Sequence, residues 1–239
     1  MKFKTILACA VLGLVIFNGR LNAAVESDVV GYQTVDLDNL GYALVSLPFA
    51  DIDSVADGYP LQKITGELSQ NNNKIRADSI MVMDPNTKAY TSYQLKPTIG
   101  WVKEGESVAT TDVIPLGAAV FVKKAMRAGQ FTMSGRVLTD ETISVDLTVG
   151  LNLVSNPYPA DINIADIKGT LSANNNAIRA DKIMTLNPVT KVYTNYQLKT
   201  IGWVKDGETV VTTDKIKSGE GFFFKKAMRA GSLTFARPF

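Results

Sequence analysis

The sequence predicts an all-β protein made of two tandem homologous units, β-sandwich or barrel-like, with at most short helical turns. Short apolar/polar alternations are separated by Gly, Pro and Asn clusters roughly every 8–12 residues. Thr, Val, Tyr and Phe, which favour strands, are plentiful, and one long segment occurs twice. The only helical candidates are residues 61–68 and 164–171, and each contains a glycine.

The N-terminal segment, residues 1–23, is predicted to be a signal peptide. Lys2 and Lys4 precede an apolar run, and small residues follow at Ala23 and Ala24. The run is shorter than the roughly 20 residues of a membrane helix. We therefore expect a secreted or cell-surface protein, periplasmic or extracellular, with no membrane span after signal removal.

Removal of this segment changes the charge of the chain. It takes three of the 25 basic residues, none of the 23 acidic residues and the one cysteine. A near-neutral mature chain lacks the basic stripe that nucleic-acid binding needs, so we expect no nucleic-acid partner.

The repeat sets the predicted domain organisation. Residues 71–129 align with residues 174–231 when Pro97 is left unmatched, and 40 of the 58 aligned positions are identical. We assign unit 1 to residues 24–137 and unit 2 to residues 138–239. No Gly/Ser-rich or Pro-rich linker separates them, which favours two abutting domains or one pseudo-symmetric domain.

Within a unit, a hairpin is the clearest predicted element. Residues 183–186 and 192–198 are strand-like and flank a turn at residues 187–191, where Pro follows Asn. Residues 84–88 form the same turn in unit 1. Residues 143–149 alternate as a half-buried strand does.

Composition excludes several chemistries. The chain has no histidine and one cysteine, which removes His-based triads, His-ligated metal sites and disulfide frameworks. We expect no metal site and no cofactor, and we expect that the protein is not an enzyme. A third-ranked interpretation is a secreted hydrolase that uses paired carboxylates, with Glu106 and Glu208 as the acids to test.

Two sets of candidate binding residues recur in both units. Aromatic platforms for sugar stacking are predicted at four side chains, Trp101, Trp203, Tyr93 and Tyr196. Tyr90 and Tyr93 are three apart, so only one of them faces solvent. A basic segment could grip sulfated or phosphorylated glycans through Lys123, Lys124, Arg127, Lys225, Lys226 and Arg229, although such a segment is also typical of a solvated turn.

Three motifs of unit 2 resemble β-rich modules of secreted bacterial surface proteins. They are GLNLVSNPYP at residues 150–159, the turn at residues 187–193, and the GEGFFFK ending at residues 219–225. The resemblance implies a β fold and a surface location and assigns no activity. Unit 1 departs from the pattern at Leu47, where unit 2 has Asn156.

These observations predict an exported, non-enzymatic structural or adhesion protein that acts by self-assembly or by binding other surface proteins. Paired β units offer two similar faces, and edge strands can pair between subunits. The alternative is a carbohydrate-binding module that holds an extracellular glycan on the Trp and Tyr platforms.

Overall fold

The computed structural model describes residues 29–37, 41–53, 58–187 and 189–239. The predicted signal peptide lies outside these residues. The described chain is all-β, as the sequence predicts, and is arranged as two sandwiches of antiparallel sheets. Within these ranges no helix has the length and apolar character needed to cross a bilayer.

Eleven strands in the described residues build the first sandwich. They are β1 (Val30–Leu37), β2 (Gly41–Val45), β3 (Phe49–Ala50), β4 (Gly58–Pro60), β5 (Thr65–Gly66), β6 (Ser79–Met83), β7 (Tyr90–Lys96), β8 (Gly100–Lys103), β9 (Val113–Pro115), β10 (Val120–Lys124) and β11 (Gly129–Val137). One sheet has the order β2-β10-β6-β7-β8, and the facing sheet places β11 between β1 and both β3 and β5. Strands β4 and β9 form a separate pair.

Ten strands in the described residues build the second sandwich. They are β12 (Thr142–Leu147), β13 (Gly150–Ser155), β14 (Ile162–Asn163), β15 (Lys168–Gly169), β16 (Lys182–Leu186), β17 (Tyr193–Lys199), β18 (Gly202–Lys205), β19 (Lys215–Ile216), β20 (Gly221–Lys226) and β21 (Gly231–Ala236). The sheet β13-β20-β16-β17-β18 repeats the strand order of the first sandwich, and β12-β21-β15 faces it. Strands β14 and β19 pair separately.

The two helical candidates are short turns. Each contains one three-residue 3-10 helix, Leu61–Lys63 or Ile164–Asp166, and a two-residue strand begins one residue later. The glycine in each segment has a positive φ, 127° at Gly66 and 137° at Gly169, and lies in that strand. Ile64 and Ile167, which directly follow the two 3-10 helices, already have extended backbones, so the prediction of short helical turns is confirmed.

The core of the first sandwich lies between its two larger sheets. In β10, Val120 and Val122 are buried, whereas Phe121 between them points to the opposite face. In β11, Phe131 and Met133 are buried by the same alternation. These side chains from both sheets meet in one hydrophobic cluster, which is the packing of an aligned β-sandwich.

The predicted hairpins are confirmed by strand pairing, β6 with β7 and β16 with β17. In the first turn the Asp84 carboxylate accepts the N–H groups of Asn86 and Thr87 at 2.7 and 3.0 Å. In the second turn Asn187 accepts two N–H groups in the same way, both at 2.9 Å. Asp and Asn are preferred at the first position of such a turn because their side chains accept these hydrogen bonds.

The two sandwiches contact each other through matched residues at or near the ends of strands in their five-stranded sheets. The Ser46 N–H donates to the Gly219 carbonyl at 2.9 Å, and the Ser155 N–H donates to the Gly117 carbonyl at 2.7 Å. The two serine hydroxyl oxygens lie 2.6 Å apart and are fully buried. Because each unit supplies the same groups, the junction has approximate two-fold symmetry.

Apolar side chains on the outer faces of these sheets complete the junction. Leu44 and Met83 of unit 1 are buried together with Leu153 and Phe223 of unit 2. At Gly221 an added Cβ would lie 2.6 Å from the Ala119 Cβ, so the close approach of the sheets requires glycine there. The junction therefore joins two cores by a third, smaller apolar cluster.

Candidate ligand-binding groove

The two tryptophans predicted as sugar platforms are core residues. Trp101 is 1% exposed and its indole N–H donates to the Ile64 carbonyl at 3.2 Å. Trp203 is 2% exposed and donates to the Ile167 carbonyl at the same distance. With the ring buried and the N–H satisfied, neither side chain presents a face to a ligand.

The two tyrosines predicted as platforms are buried as well. Tyr93 and Tyr196 point into the sandwiches, and their hydroxyls donate to Asp112 at 2.6 Å and to Asp214 at 2.7 Å. Burial, followed by the neighbouring carboxylate, raises the pKa of each phenol above its usual range. The prediction of sugar platforms at Trp101, Trp203, Tyr93 and Tyr196 is therefore wrong.

Two of the six predicted glycan-gripping cations are also unavailable. Lys124 lies 2.5 Å from the Asp78 carboxylate and Lys226 lies 2.6 Å from Asp181, and all four side chains are buried. Each carboxylate also accepts backbone N–H groups, such as that of Ala125 at 2.7 Å. These ion pairs tie β10 and β20 to the segments that precede β6 and β16, so Lys124 and Lys226 have a structural role.

The other four cations of the basic segment remain at the surface. Lys123 is half-buried on the outer face of β10, and Lys225, Arg127 and Arg229 are exposed. Strand alternation therefore divides the predicted cations. Lys124 and Lys226 point inward, whereas Lys123 and Lys225, one residue earlier, point outward.

The aromatic side chains that do reach solvent belong to other positions. Tyr90 and Tyr193 begin β7 and β17 and are 44% and 42% exposed. Tyr42 on β2 is 44% exposed. Alternation was the signal that could have found them, because Tyr93 shares its face with the apolar Leu95, whereas Tyr90 lies on the opposite face.

These tyrosines surround an open apolar groove beside the junction, which we call the junction groove. Its volume is about 490 Å³, and its lining consists of Gly41, Tyr42, Met81, Tyr90, Phe121, Leu186, Lys191 and Tyr193. Both units contribute to it. A volume of this size is in the range of small-molecule and oligomer sites.

The aromatic rings of the junction groove form a connected row. Phe121 and Phe223, which occupy equivalent positions of the two units, have ring centroids 5.6 Å apart. Tyr90 packs on Phe121 at 6.0 Å, and Tyr193 packs on Phe223 at 6.0 Å. Tyr42 meets Phe121 edge to face at 6.2 Å. Packing from behind holds each half-exposed tyrosine ring in place.

Two tyrosines of the junction groove, Tyr90 and Tyr193, have a raised pKa and are neutral at physiological pH. Burial raises the pKa of Tyr90, and the nearby Tyr193 raises it further. Burial also raises the pKa of Tyr193. Apart from the Lys191 side chain, the groove therefore offers flat apolar faces and phenol hydroxyl groups, which suit contact with a sugar ring and its hydroxyls.

The carboxylates proposed for hydrolysis lie elsewhere and serve as partners in hydrogen bonds or as surface charges. Glu106 and Glu208 are exposed in loops. The Tyr196 hydroxyl, and next the Lys205 ammonium, lower the pKa of Asp214. Asp214 is thus a hydrogen-bond partner of Tyr196 and an ion-pair partner of Lys205 within unit 2. Among the described residues no cluster of His, Cys, Asp or Glu could hold a metal ion.

Comparisons of this chain with protein-family models, with curated proteins and with solved structures found no match. The resemblance to modules of bacterial surface proteins stays a prediction.

An alkaline pH dependence follows from the buried phenols. Burial raises the pKa of six tyrosines, Tyr59, Tyr90, Tyr93, Tyr158, Tyr193 and Tyr196. Their contribution to stability is complete below the unfolded value of about 10 and is lost as the pH rises above it, because the unfolded chain then ionises first. Urea unfolding at increasing pH should show a falling free energy of unfolding above pH 10, accompanied by a cooperative rise in phenolate absorbance. Gradual phenolate formation in a chain that stays folded would contradict this.

Proposed function

We propose that this chain is an exported, non-enzymatic adhesion protein that binds a glycan chain in the junction groove. The observation that carries the proposal is the row of half-exposed tyrosine rings on one open face, supplied by both units. A sugar ring has apolar C–H faces that pack on such a ring, and its hydroxyls stay in water at the open side.

The exposure of the three groove tyrosines, Tyr42, Tyr90 and Tyr193, supports the proposal because it shows that they are not core residues. Met81 and Leu186 make the floor of the junction groove apolar, and about 40% of each of the three tyrosines is open to solvent. Exposed aromatic groups packed into one groove are costly to leave in water, and such patches mark binding surfaces. Export is supported by the predicted signal peptide.

Self-assembly is a second candidate function, and edge strand β1 favours it. The Val137 N–H donates to the Val29 carbonyl at 2.7 Å, so every second residue of the strand, counted from Val29, is hydrogen-bonded to β11. The N–H and C=O groups of the residues between them point away from β11. Those groups belong to Val30, Tyr32, Thr34 and Asp36. No other described strand pairs with β1. Sedimentation velocity tests this candidate, and a monomer at all concentrations would remove it.

Affinity electrophoresis tests glycan binding. We expect native gels containing at least one of hydroxyethyl cellulose, galactomannan, highly methyl-esterified pectin or polygalacturonate to retard the protein. The Tyr193→Ala variant should bind about tenfold more weakly, because one stacking face is lost.

The matched control is Tyr32→Ala, which removes a tyrosine that is 71% exposed outside the junction groove. Its mobility should equal that of the unaltered protein in every gel. Absence of retardation in all four gels and in gels that contain dextran or dextran sulfate, or an equal loss in the Tyr32 variant, would overturn the proposed function.

A further inference from the structure

One end of the junction groove continues onto the outer face of the first five-stranded sheet. A smaller pocket of about 230 Å³ begins at Tyr42, and its lining includes Ser79, Ser92, Gln94 and Lys123. The aromatic row therefore gives way to hydroxyl, amide and ammonium groups. A chain that leaves the groove in this direction passes over polar side chains.

Lys123 is a charged residue of this pocket and lies beside Tyr42. In the register of the sheet it is opposite Tyr42 on β2 and opposite Ser79 on β6. It is half-buried, and in the part of the chain that the structure describes its ammonium group makes no ion pair. The other cation of this pocket, Lys74, is paired with Glu104 at 3.0 Å.

The charge of the pocket favours an anion. Lys74 and Glu104 cancel, which leaves the Lys123 ammonium as the net charge beside an exposed ring face. A half-buried cation gains more from an opposite charge than a fully hydrated one does, because the local dielectric is lower. The ring face and the cation together fit a sugar that carries an acidic group.

Unit 2 does not have this combination. At the equivalent positions Leu151 replaces Tyr42 and Lys182 replaces Ser79, and Lys225 is opposite both of them. The outward-facing lysine is thus present in both units, whereas the tyrosine and the serine beside it are present only in unit 1. Lys225 is therefore a charge-matched control for Lys123.

We propose that the Tyr42–Lys123 pocket is a subsite for an acidic sugar residue of the bound glycan, with the ring stacked on Tyr42 and its anionic group paired with Lys123. This inference rests on the proposed function, since the acidic sugar belongs to the chain held in the junction groove. The anionic group is a carboxylate, as in a uronic acid, or a sulfate.

Two pairs of polysaccharides test the subsite by affinity electrophoresis. Polygalacturonate and highly methyl-esterified pectin share a backbone and differ in carboxylate charge, and dextran sulfate and dextran differ in sulfate. We expect tighter binding to the charged member of at least one pair, and the responding pair identifies the anionic group. Lys123→Gln should reduce that affinity about tenfold and leave the affinity for the uncharged member unchanged.

Lys225→Gln removes the same charge from unit 2 and should leave both affinities unchanged. Equal losses in the Lys123 and Lys225 variants would show an effect of net charge and overturn the subsite, as would equal affinity for charged and uncharged members. In both cases retardation that depends on Tyr193 would leave the proposed function standing. Absence of retardation by every polysaccharide would overturn both.

Discussion

Replacing Asp78 with Asn is expected to lower the free energy of unfolding by about 3–5 kcal/mol. The Asp78 carboxylate is fully buried and lies 2.5 Å from the Lys124 ammonium, which is 1% exposed. Asn keeps the shape of the side chain but removes its charge, so Lys124 would stay in the core without a counter-ion. Removing one partner of a buried pair is costly because the desolvated charge of the other is then uncompensated.

Unit 2 supplies a repeat of this measurement, and the surface supplies a control. Asp181→Asn should cost about as much, because Asp181 holds Lys226 at 2.6 Å in an equally buried pair. Asp146→Asn changes an exposed residue of β12 and should stay within about 0.5 kcal/mol. Urea unfolding followed by circular dichroism measures all three. A loss below about 1 kcal/mol in both buried variants would show that the pairs are dispensable.

Replacing Trp203 with Ala is expected to cost about 3–5 kcal/mol of stability. The side chain fills the core of the second sandwich, where its ring meets Phe224 edge to face at 6.0 Å. Truncation would leave a large cavity and an Ile167 carbonyl without its donor. Trp203 and its equivalent Trp101 therefore stabilise the fold. We expect the Trp203→Ala variant to unfold at a markedly lower urea concentration than the unaltered protein.

A comparison with Tyr193→Ala separates folding from binding. Tyr193 is 42% exposed, so its truncation should cost clearly less stability than that of Trp203 and should weaken glycan retention. Trp203→Ala, measured under conditions where it is folded, should retain the glycan. A stable Trp203→Ala protein that has lost glycan retention would contradict the core role of the indole.

The strands and turns could be predicted because they depend on local sequence. The hairpin of β16 and β17 follows from alternation on both sides of a turn that begins with Asn187. The glycines at 66 and 169 were the local signal that predicted short turns at the two helical candidates. In each case the residues that decide the structure are neighbours in the chain.

The site could not be predicted in full because it depends on long-range pairing. Lys124 and Asp78 are 46 residues apart, and only the sheet register brings them together. Identity between the units gave no help, since the buried Trp203 and the exposed Tyr193 both have identical counterparts. The approach of Phe121 to Phe223 depends on how the two sandwiches pack, which neither unit encodes alone.

One feature of the site is visible in the alignment of the units once the structure shows where to look. Tyr42 corresponds to Leu151, and both face outward beside the first lysine of the basic segment. This difference between equivalent positions distinguishes the polar end of the groove, which has Tyr42, from the corresponding surface of unit 2, which has Leu151. The difference lies outside the long aligned segment, in residues 41–48 and 150–157, where five of the eight positions are identical.

Fluorine NMR of the full chain labelled with 3-fluorotyrosine tests the location of the ligand most directly. The sequence has eight tyrosines, and single Tyr→Phe variants assign their signals. On titration with oligogalacturonate, and with cellohexaose as a neutral probe, the signals of Tyr42, Tyr90 and Tyr193 should shift, while those of the buried Tyr93 and Tyr196 should stay in place. Shifts at Tyr93 and Tyr196 without shifts at the three groove tyrosines, or no shift with either probe, would contradict a glycan site in the junction groove.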